Sequence, residues 1–542
     1  MKRVFPLYLL SLLIVVHPAE AGSATWLSVP ADNEWNNAAN WTPGGPPNGP
    51  SDTATFSFST ATDVSISRGT EVCGITFDPA ASSFTITLDY PFMFSVTGAG
   101  ITNNSNVTQT FITHGELILQ NHAALDNVTI AGAVGSSAGF NVLFTQTATA
   151  GNATFMLDPG GVIFQGSATA GNGYFFANGY TVCGGAAGNV TFDDTATAAN
   201  GTFALNPGLI CPLGSGGGSV IFYGTSTAGD GVFTINGAPN SDESGGVVYF
   251  QGDSVEGPTA GNATLIANGG SDGGSGGSIK FINVCSGGTA RLELFGNGTL
   301  QVSIIGVSLT TGSIEGTGIV TLDNGVNLSV GANNLSTSFS GLIQDGVNGS
   351  SLLTKVGTGT LTLSSANTYT GGTTIAAGTL LIENRTGSAT GAAAARVTGG
   401  TLGGRGIISG TVTVGTGTGT GAVIAPSQGA SNPATLRIQS LLTFKADGSY
   451  TYKLDTRKAR ADEVVANGVT IESGAQFNFS AIGNKRLPLG SVFVAISNTS
   501  AHPISGTFAN LADGSTLSVG KNNYQASYSG GDGNDLTLTV VP

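Results

Sequence analysis

The side chains able to do acid–base or metal chemistry are few and scattered. Beyond residue 21 there are three histidines, His114, His122 and His502. His114 and His122 flank Glu116, and on strands two imidazoles at that spacing can share a face. Neither lies in a known metal-binding motif, so exposed loop positions are the simpler reading. Asp193-Asp194 and Asp242-Glu243 are adjacent acidic pairs. Neighbours on a strand point to opposite faces, so neither pair works as acid and base together unless a turn reorients it. No catalytic residue, cofactor or metal is expected from these groups, and the chain reads as a non-enzyme.

Cys73, Cys183, Cys211 and Cys285 form an even set, in keeping with an oxidising compartment, and there is no Cys-x-x-Cys for a redox or zinc site. Trp26, Trp35 and Trp41 fall close together among Asn33, Asn36, Asn37 and Asn40. Exposed indoles beside amides are a common means of holding sugars, which makes the three tryptophans candidate carbohydrate contacts. Bulky aromatics also cap the exposed end of a repeat stack, and capping is the first reading. Gly530-Gly531-Asp532-Gly533-Asn534-Asp535 is similar to half of a glycine-rich calcium-binding nonapeptide. Thr537 stands where a large apolar residue belongs, and no second copy follows, so a turn before a last strand from Leu536 to Val540 is expected instead.

Composition indicates what positions these residues. The 542 residues include 85 glycines and only 9% charged residues, against about 7% glycine and 25% charged in ordinary globular chains. Hydrophobic residues, at 40%, alternate with Thr, Ser and Asn in short runs bounded by glycine, which is a strand-and-turn pattern and not a disordered one. Thr-Ala-Gly or a close variant recurs at Thr149, Thr169, Thr197, Thr227 and Thr259, at spacings of 20, 28, 30 and 32 residues. Each phrase precedes a strand, a glycine turn and a second strand, as in Thr202 to Leu205 followed by Val220 to Phe222. A coil of that size cannot bury its inner face alone, so successive coils must stack. The expected fold is all-β, a parallel β-helix (β-solenoid) with capping segments; a β-sandwich or barrel is the competing all-β reading. Stacked positions in such coils lie about 4.8 Å apart, within the reach of a disulfide. Cys183 and Cys211, one coil apart, are therefore the first candidate pair, with free thiols filling the core as the alternative.

Leu353 to Leu380, Leu-Thr-Lys-Val-Gly-Thr-Gly-Thr-Leu-Thr-Leu-Ser-Ser-Ala-Asn-Thr-Tyr-Thr-Gly-Gly-Thr-Thr-Ile-Ala-Ala-Gly-Thr-Leu, is the most specific motif. It closely resembles the autotransporter-associated β-strand repeat of bacterial passenger domains. Gly312 to Gly318, Val330 to Ile343 with Asn333-Asn334, and Gly530 to Asp535 extend the resemblance from about Leu309 onward. Within the motif Thr360 to Leu363 alternates as a half-buried strand, Gly371-Gly372 permits a tight turn, and Asn367 suits either an asparagine ladder or a turn cap. Autotransporters of this kind continue into a C-terminal membrane barrel. Residues 436–542 hold strands such as Tyr450 to Leu454 and Val492 to Ile496, too few for a barrel, and are read as the closing segment of the solenoid. Self-translocation is accordingly not expected.

Lys2 and Arg3, the apolar run Val4 to Val16, and Ala19-Glu20-Ala21 have the layout of a secretory signal peptide. The net charge is −14, and without Lys2, Arg3 and Glu20 it is −15, which disfavours nucleic acid as a partner. Residues 69–279 contain no Lys or Arg, so a ligand held there must be neutral or cationic. The expected organisation is a signal peptide (1–21), an N-terminal cap and first strands (22–100), a Gly/Thr-rich repeat solenoid (101–305), an autotransporter-associated repeat region (306–435) and a C-terminal closing segment (436–542). The expected protein is an exported cell-surface, extracellular or periplasmic solenoid of structural or adhesion type, with no integral membrane segment in the mature chain. Its expected partners are extracellular polysaccharide or other surface components. The alternative is a β-helix polysaccharide lyase or glycosidase, or a carbohydrate-binding module.

Overall fold

The computed structural model describes residues 22–542 apart from 44, 133–140, 159, 181–186, 212–213, 254 and 305–307. The leader and Cys183 lie outside the described residues, and with them the expected cleavage site and the Cys183–Cys211 pairing. Among the described residues, regular structure is strand throughout, save one 3-10 turn at Ala38–Asn40.

The strands stack in parallel and in register to form a β-solenoid. A first column runs from Ala24–Trp26 through Thr70–Phe77, Gly160–Phe164 and Ser219–Phe222 to Leu342–Asp345. A second runs from Asp63–Ile66 through Thr154–Leu157, Tyr174–Ala177 and Thr202–Leu205 to Ser308–Gly316. Between them lies a third, narrow column of single bridges linking Thr149, Thr169, Thr197, Thr227, Thr259 and Ser286. The Thr-Ala-Gly spacing read in the sequence is thus the coil length itself. Each hydroxyl of this column accepts from an amide two residues on, as Thr149 does from Gly151 N at 3.1 Å, so each coil turns this corner in the same way.

Coil length varies mostly at one corner, although the interval from Thr227 to Thr259 also lengthens between Phe250 and Thr259. Leu157 is followed almost at once by Gly160–Phe164, whereas Leu205 is separated from Ser219–Phe222 by residues 206–218. An asparagine ladder holds the base of these longer loops. Asn206 donates to Asn178 at 2.7 Å, Asn236 to Asn206 at 2.9 Å and Asn268 to Asn236 at 3.1 Å. Stacked amides bond along the axis at the strand spacing, whatever loop follows them.

Burial alternates along each strand, and the inward positions are apolar. Phe144, Phe164, Phe192, Phe222, Phe250 and Phe281 form one stack with centroids 4.7–4.9 Å apart. Phe155, Phe175, Phe203 and Phe233 form a second at 4.5–4.7 Å, meeting the first edge-on. Each ring is wholly or almost wholly buried, so each contributes full side-chain burial, about 1.5–3 kcal/mol, plus roughly 0.5–1.5 kcal/mol per ring pair.

Ser308–Gly316 is a branch point. Its first half pairs with Asn327–Val330 and Gly316 faces Phe339, so the second column continues as two. The first column continues beside it through Ile319–Leu322 to Leu342–Asp345. Asn367 is neither a ladder asparagine nor a turn cap. Its Oδ1 accepts from Ile343 N at 2.8 Å and its Nδ2 donates to Ala389 O at 2.6 Å, joining the coils on either side. A further parallel column begins at Ile407–Ile408 and runs through Thr435–Ile438 and Glu463–Ala466 to Val492–Asn498. It ends when Asp535–Val541 pairs antiparallel with Val492–Asn498, and Asn522–Gly530 and Thr516–Val519 continue outward.

Candidate functional site

The residues singled out from the sequence are dispersed. Trp26, Trp35 and Trp41 are 2%, 0% and 3% exposed, which accords with capping, the first reading, and leaves no open indole face for the alternative role of carbohydrate contact. Their ring faces are taken up by one another and by Phe56 and Phe94 at 4.9–6.0 Å, and the Trp41 indole donates to Trp35 O at 2.7 Å. With Trp41–Thr42 antiparallel to Ala24–Trp26, they form the N-terminal end of the core. His114, His122 and His502 are exposed at separate turns. Asp193 and Asp194 lie in the turn after Gly188–Phe192, where the Asp194 carboxylate accepts from Gly166 N of the neighbouring coil at 2.9 Å. Asp242 and Glu243 belong to a loop whose short strand pairs with Gly208–Cys211. Gly530 to Asp535 is a hairpin turn, and Asp535 accepts from Asn498 N at 2.8 Å. Cys73 and Cys285 are unpaired, and burial pushes the Cys285 thiol up to about 12. No cluster of three or more His, Cys, Asp or Glu suited to a metal occurs among the described residues, and no helix there is long and apolar enough to cross a membrane.

A different set of residues does converge. Register between Thr379–Ile382 and Gly400–Gly404 places Gly404 over Ile382, so Arg405 lies over Glu383, with Nε 2.7 Å from Oε2. The Asn384 carboxamide accepts from Ile407 N at 2.8 Å, and Ile407 pairs in turn with Arg437 on the next coil. Arg385 projects from the turn beside them. Together they line a surface groove of about 680 Å³ over Thr362, Ser364 and Ala366, continuing into about 490 Å³ beside Ile407 and Arg437. Three guanidiniums face one carboxylate, and the Arg405 side chain is 75% exposed. An ion pair so open to water contributes about 1 kcal/mol or less, so it orients the guanidinium without neutralising the groove. Arg385 and Arg437 have no carboxylate partner among the described residues. Sequence reasoning missed this groove because its cations are 20 and 32 residues apart; those intervals are coil lengths, which is the one signal that links them.

The model of the passenger-associated transport repeat matches residues 353–382, the strands that floor this groove. No curated protein matches the chain. Among solved structures the chain is similar to a crystal structure of the Haemophilus influenzae Hap adhesin, at 14% identity with a TM-score of 0.27. The match covers 89% of this chain and 65% of that one, so the chain spans less than two thirds of that protein.

Within the repeat, Lys355 is a buried ammonium at 1% exposure. It donates to Val356 O at 2.5 Å and Gly357 O at 3.1 Å and reaches Ala377 O of the next coil at 3.5 Å; burial pushes it down to about 8. Gly357, at φ +65°, has no room for a side chain, since a Cβ there would lie 2.0 Å from Gly331 O. This lysine therefore replaces water at carbonyls that two tight coil corners leave inside. Charge is also distributed unevenly along the axis. Residues 69–279 carry 14 Asp and Glu with no cation, whereas residues 280–542 carry 15 Lys and Arg against 13 Asp and Glu.

Proposed function

We propose that this protein is an exported adhesion-type solenoid, displayed at the cell surface or secreted, which presents an interaction surface along a stiff rod and does not catalyse a reaction. One observation carries the reading: a passenger-associated transport repeat sits within an unbroken stack of parallel coils. Such a stack bends little and has no hinge, so a surface on its C-terminal half is carried as a unit. The leader-like residues 1–21 supply the route into an oxidising compartment, where Cys183 and Cys211 form a disulfide between neighbouring coils. The partners are extracellular polysaccharide or other surface components, met through the arginine groove.

The test is accessibility. Intact cells of the producing bacterium, treated with a protease that does not enter the periplasm, should lose the protein while a periplasmic marker survives, or else the protein should be recovered from the medium. Retention in the cytoplasm, or protection equal to that of the periplasmic marker with none released, contradicts the proposal. The purified chain should also leave pectin, alginate, xylan and chitin uncleaved; release of oligosaccharides from any of them would place it among enzymes.

A further inference from the structure

We propose that the groove formed by Glu383, Arg385, Arg405 and Arg437 binds a saccharide chain bearing carboxylate or sulfate groups. The proposal rests on the surface-solenoid reading only for where such a chain is met, since binding itself is a property of the purified protein.

Four features support this. Arg385, Arg405 and Arg437 occupy three successive coils, each rising about 4.8 Å, with Arg437 over Ile407 and Arg405 two residues before it, so the three cations are staggered across the groove and not held at one point. A guanidinium engages carboxylate or sulfate through two parallel hydrogen bonds, and only Arg405 has a protein carboxylate beside it. The lining is mainly polar, and within it Ala366, Leu381 and Ile407 offer apolar surface to the C–H face of a sugar. The hydroxyls of Ser364 and Thr386 line the same wall. No aromatic side chain lines the groove, so a nucleobase finds nothing to stack on, and the 14 uncompensated acidic groups of residues 69–279 repel a long polyanion lying along the rod. A short anionic segment of saccharide, held locally across three coils, fits both constraints. Glu383 orients Arg405 and is a positioning residue.

The experiment titrates the full-length exported chain with fluorescent oligogalacturonate, a heparin oligosaccharide and neutral dextran of matched length. The two anionic probes separate carboxylate from sulfate recognition. At least one should bind, with affinity falling as salt rises because counterions are released, and dextran should not bind. Arg437→Gln should weaken binding by about 3- to 10-fold, and Arg405→Gln combined with Arg437→Gln by more than 10-fold, as expected for one lost ionic contact each. Arg396→Gln, which lies outside the groove, should bind as the unaltered chain does. Glu383→Gln keeps an oxygen that accepts from Arg405 Nε, so the guanidinium stays oriented, but removes the negative charge that competes with the ligand; binding should tighten, a gain that misfolding cannot mimic. Failure of both anionic probes, unchanged affinity in the double variant, or equal affinity for single-stranded DNA of the same charge would overturn the proposal. A protein that binds here yet proves not to be exported would leave the groove standing and remove only the reading of its location.

Discussion

Replacing Phe203 with alanine removes a ring that lies flat between Phe175 at 4.7 Å and Phe233 at 4.5 Å and meets Phe192 edge-on at 6.0 Å. The side chain is wholly buried, so the loss combines transfer of the ring to water with the cavity left among three fixed neighbours. Phe→Ala in such a setting costs about 3–5 kcal/mol. Parallel pairing on both sides, Phe175 with Phe203 and Phe203 with Phe233, restrains the backbone from collapsing into the gap, which places the cost towards the upper end. Phe203→Leu keeps most of the volume and should cost about 1.5 kcal/mol or less. Because coils interact chiefly with their neighbours, the loss should be local. Hydrogen exchange followed by mass spectrometry should show faster exchange in Tyr174–Ala177, Thr202–Leu205 and Val232–Ile235, with Thr435–Ile438 unchanged. A cost below about 1 kcal/mol in urea unfolding, equal costs for alanine and leucine, or uniform loss of protection along the chain would refute the reasoning.

Asn206→Ala leaves the Asn178 carbonyl and the Asn236 amide of the half-buried ladder without partners, and should cost about 1–3 kcal/mol in the same assay. Asn172→Ala, in the exposed ladder from Asn152 to Asn200, should cost about 0.5 kcal/mol or less. Lys355 has a folded value near 8 against 10.5 in the free side chain, so above pH 8 the unfolded chain holds a proton that the folded chain has lost, and stability contributed by this group should rise with pH. The Cys285 thiol, raised from 9.0 to about 12, works in the opposite direction above pH 9. The difference between the unaltered chain and Lys355→Met, measured by urea unfolding from pH 7.5 to 9.5, isolates the lysine; a flat difference would show that its carbonyl partners keep it protonated.

Local pattern and long-range register differed in how far the sequence revealed them. The Thr149-to-Thr259 intervals were readable because each coil repeats one corner with the same hydroxyl-to-amide bond, so chain distance and spatial distance coincide. Strands such as Thr202–Leu205 and Thr360–Leu363 were readable from alternation and bounding glycines. The tryptophans were ambiguous because capping and sugar binding use the same aromatic-plus-amide composition; only packing against Phe56 and Phe94 separates them. Asn367 was misjudged because its role depends on Ile343 and Ala389, backbone groups more than 20 residues away whose need for a partner no local pattern reveals. The arginine groove was hidden for the same reason. Arg385, Arg405 and Arg437 each look like solitary surface charges until the pairing of Ile382 with Gly404 and Ile407 with Arg437 brings them onto adjoining coils.

The continuous stack is what every other statement depends on, and its shape is directly measurable. The first column alone, from Ala24–Trp26 to Leu342–Asp345, rises roughly 60 Å at the strand spacing, and the later coils take the rod to the order of 80–100 Å. A compact chain of this size would have a radius of gyration of about 24 Å and a largest dimension of roughly 60 Å. Small-angle X-ray scattering of the exported chain at low concentration should give a skewed distance distribution extending to the order of 100 Å, with a radius of gyration above the compact value. A symmetric distribution ending near 60 Å would contradict the solenoid and, with it, the groove that stacking assembles.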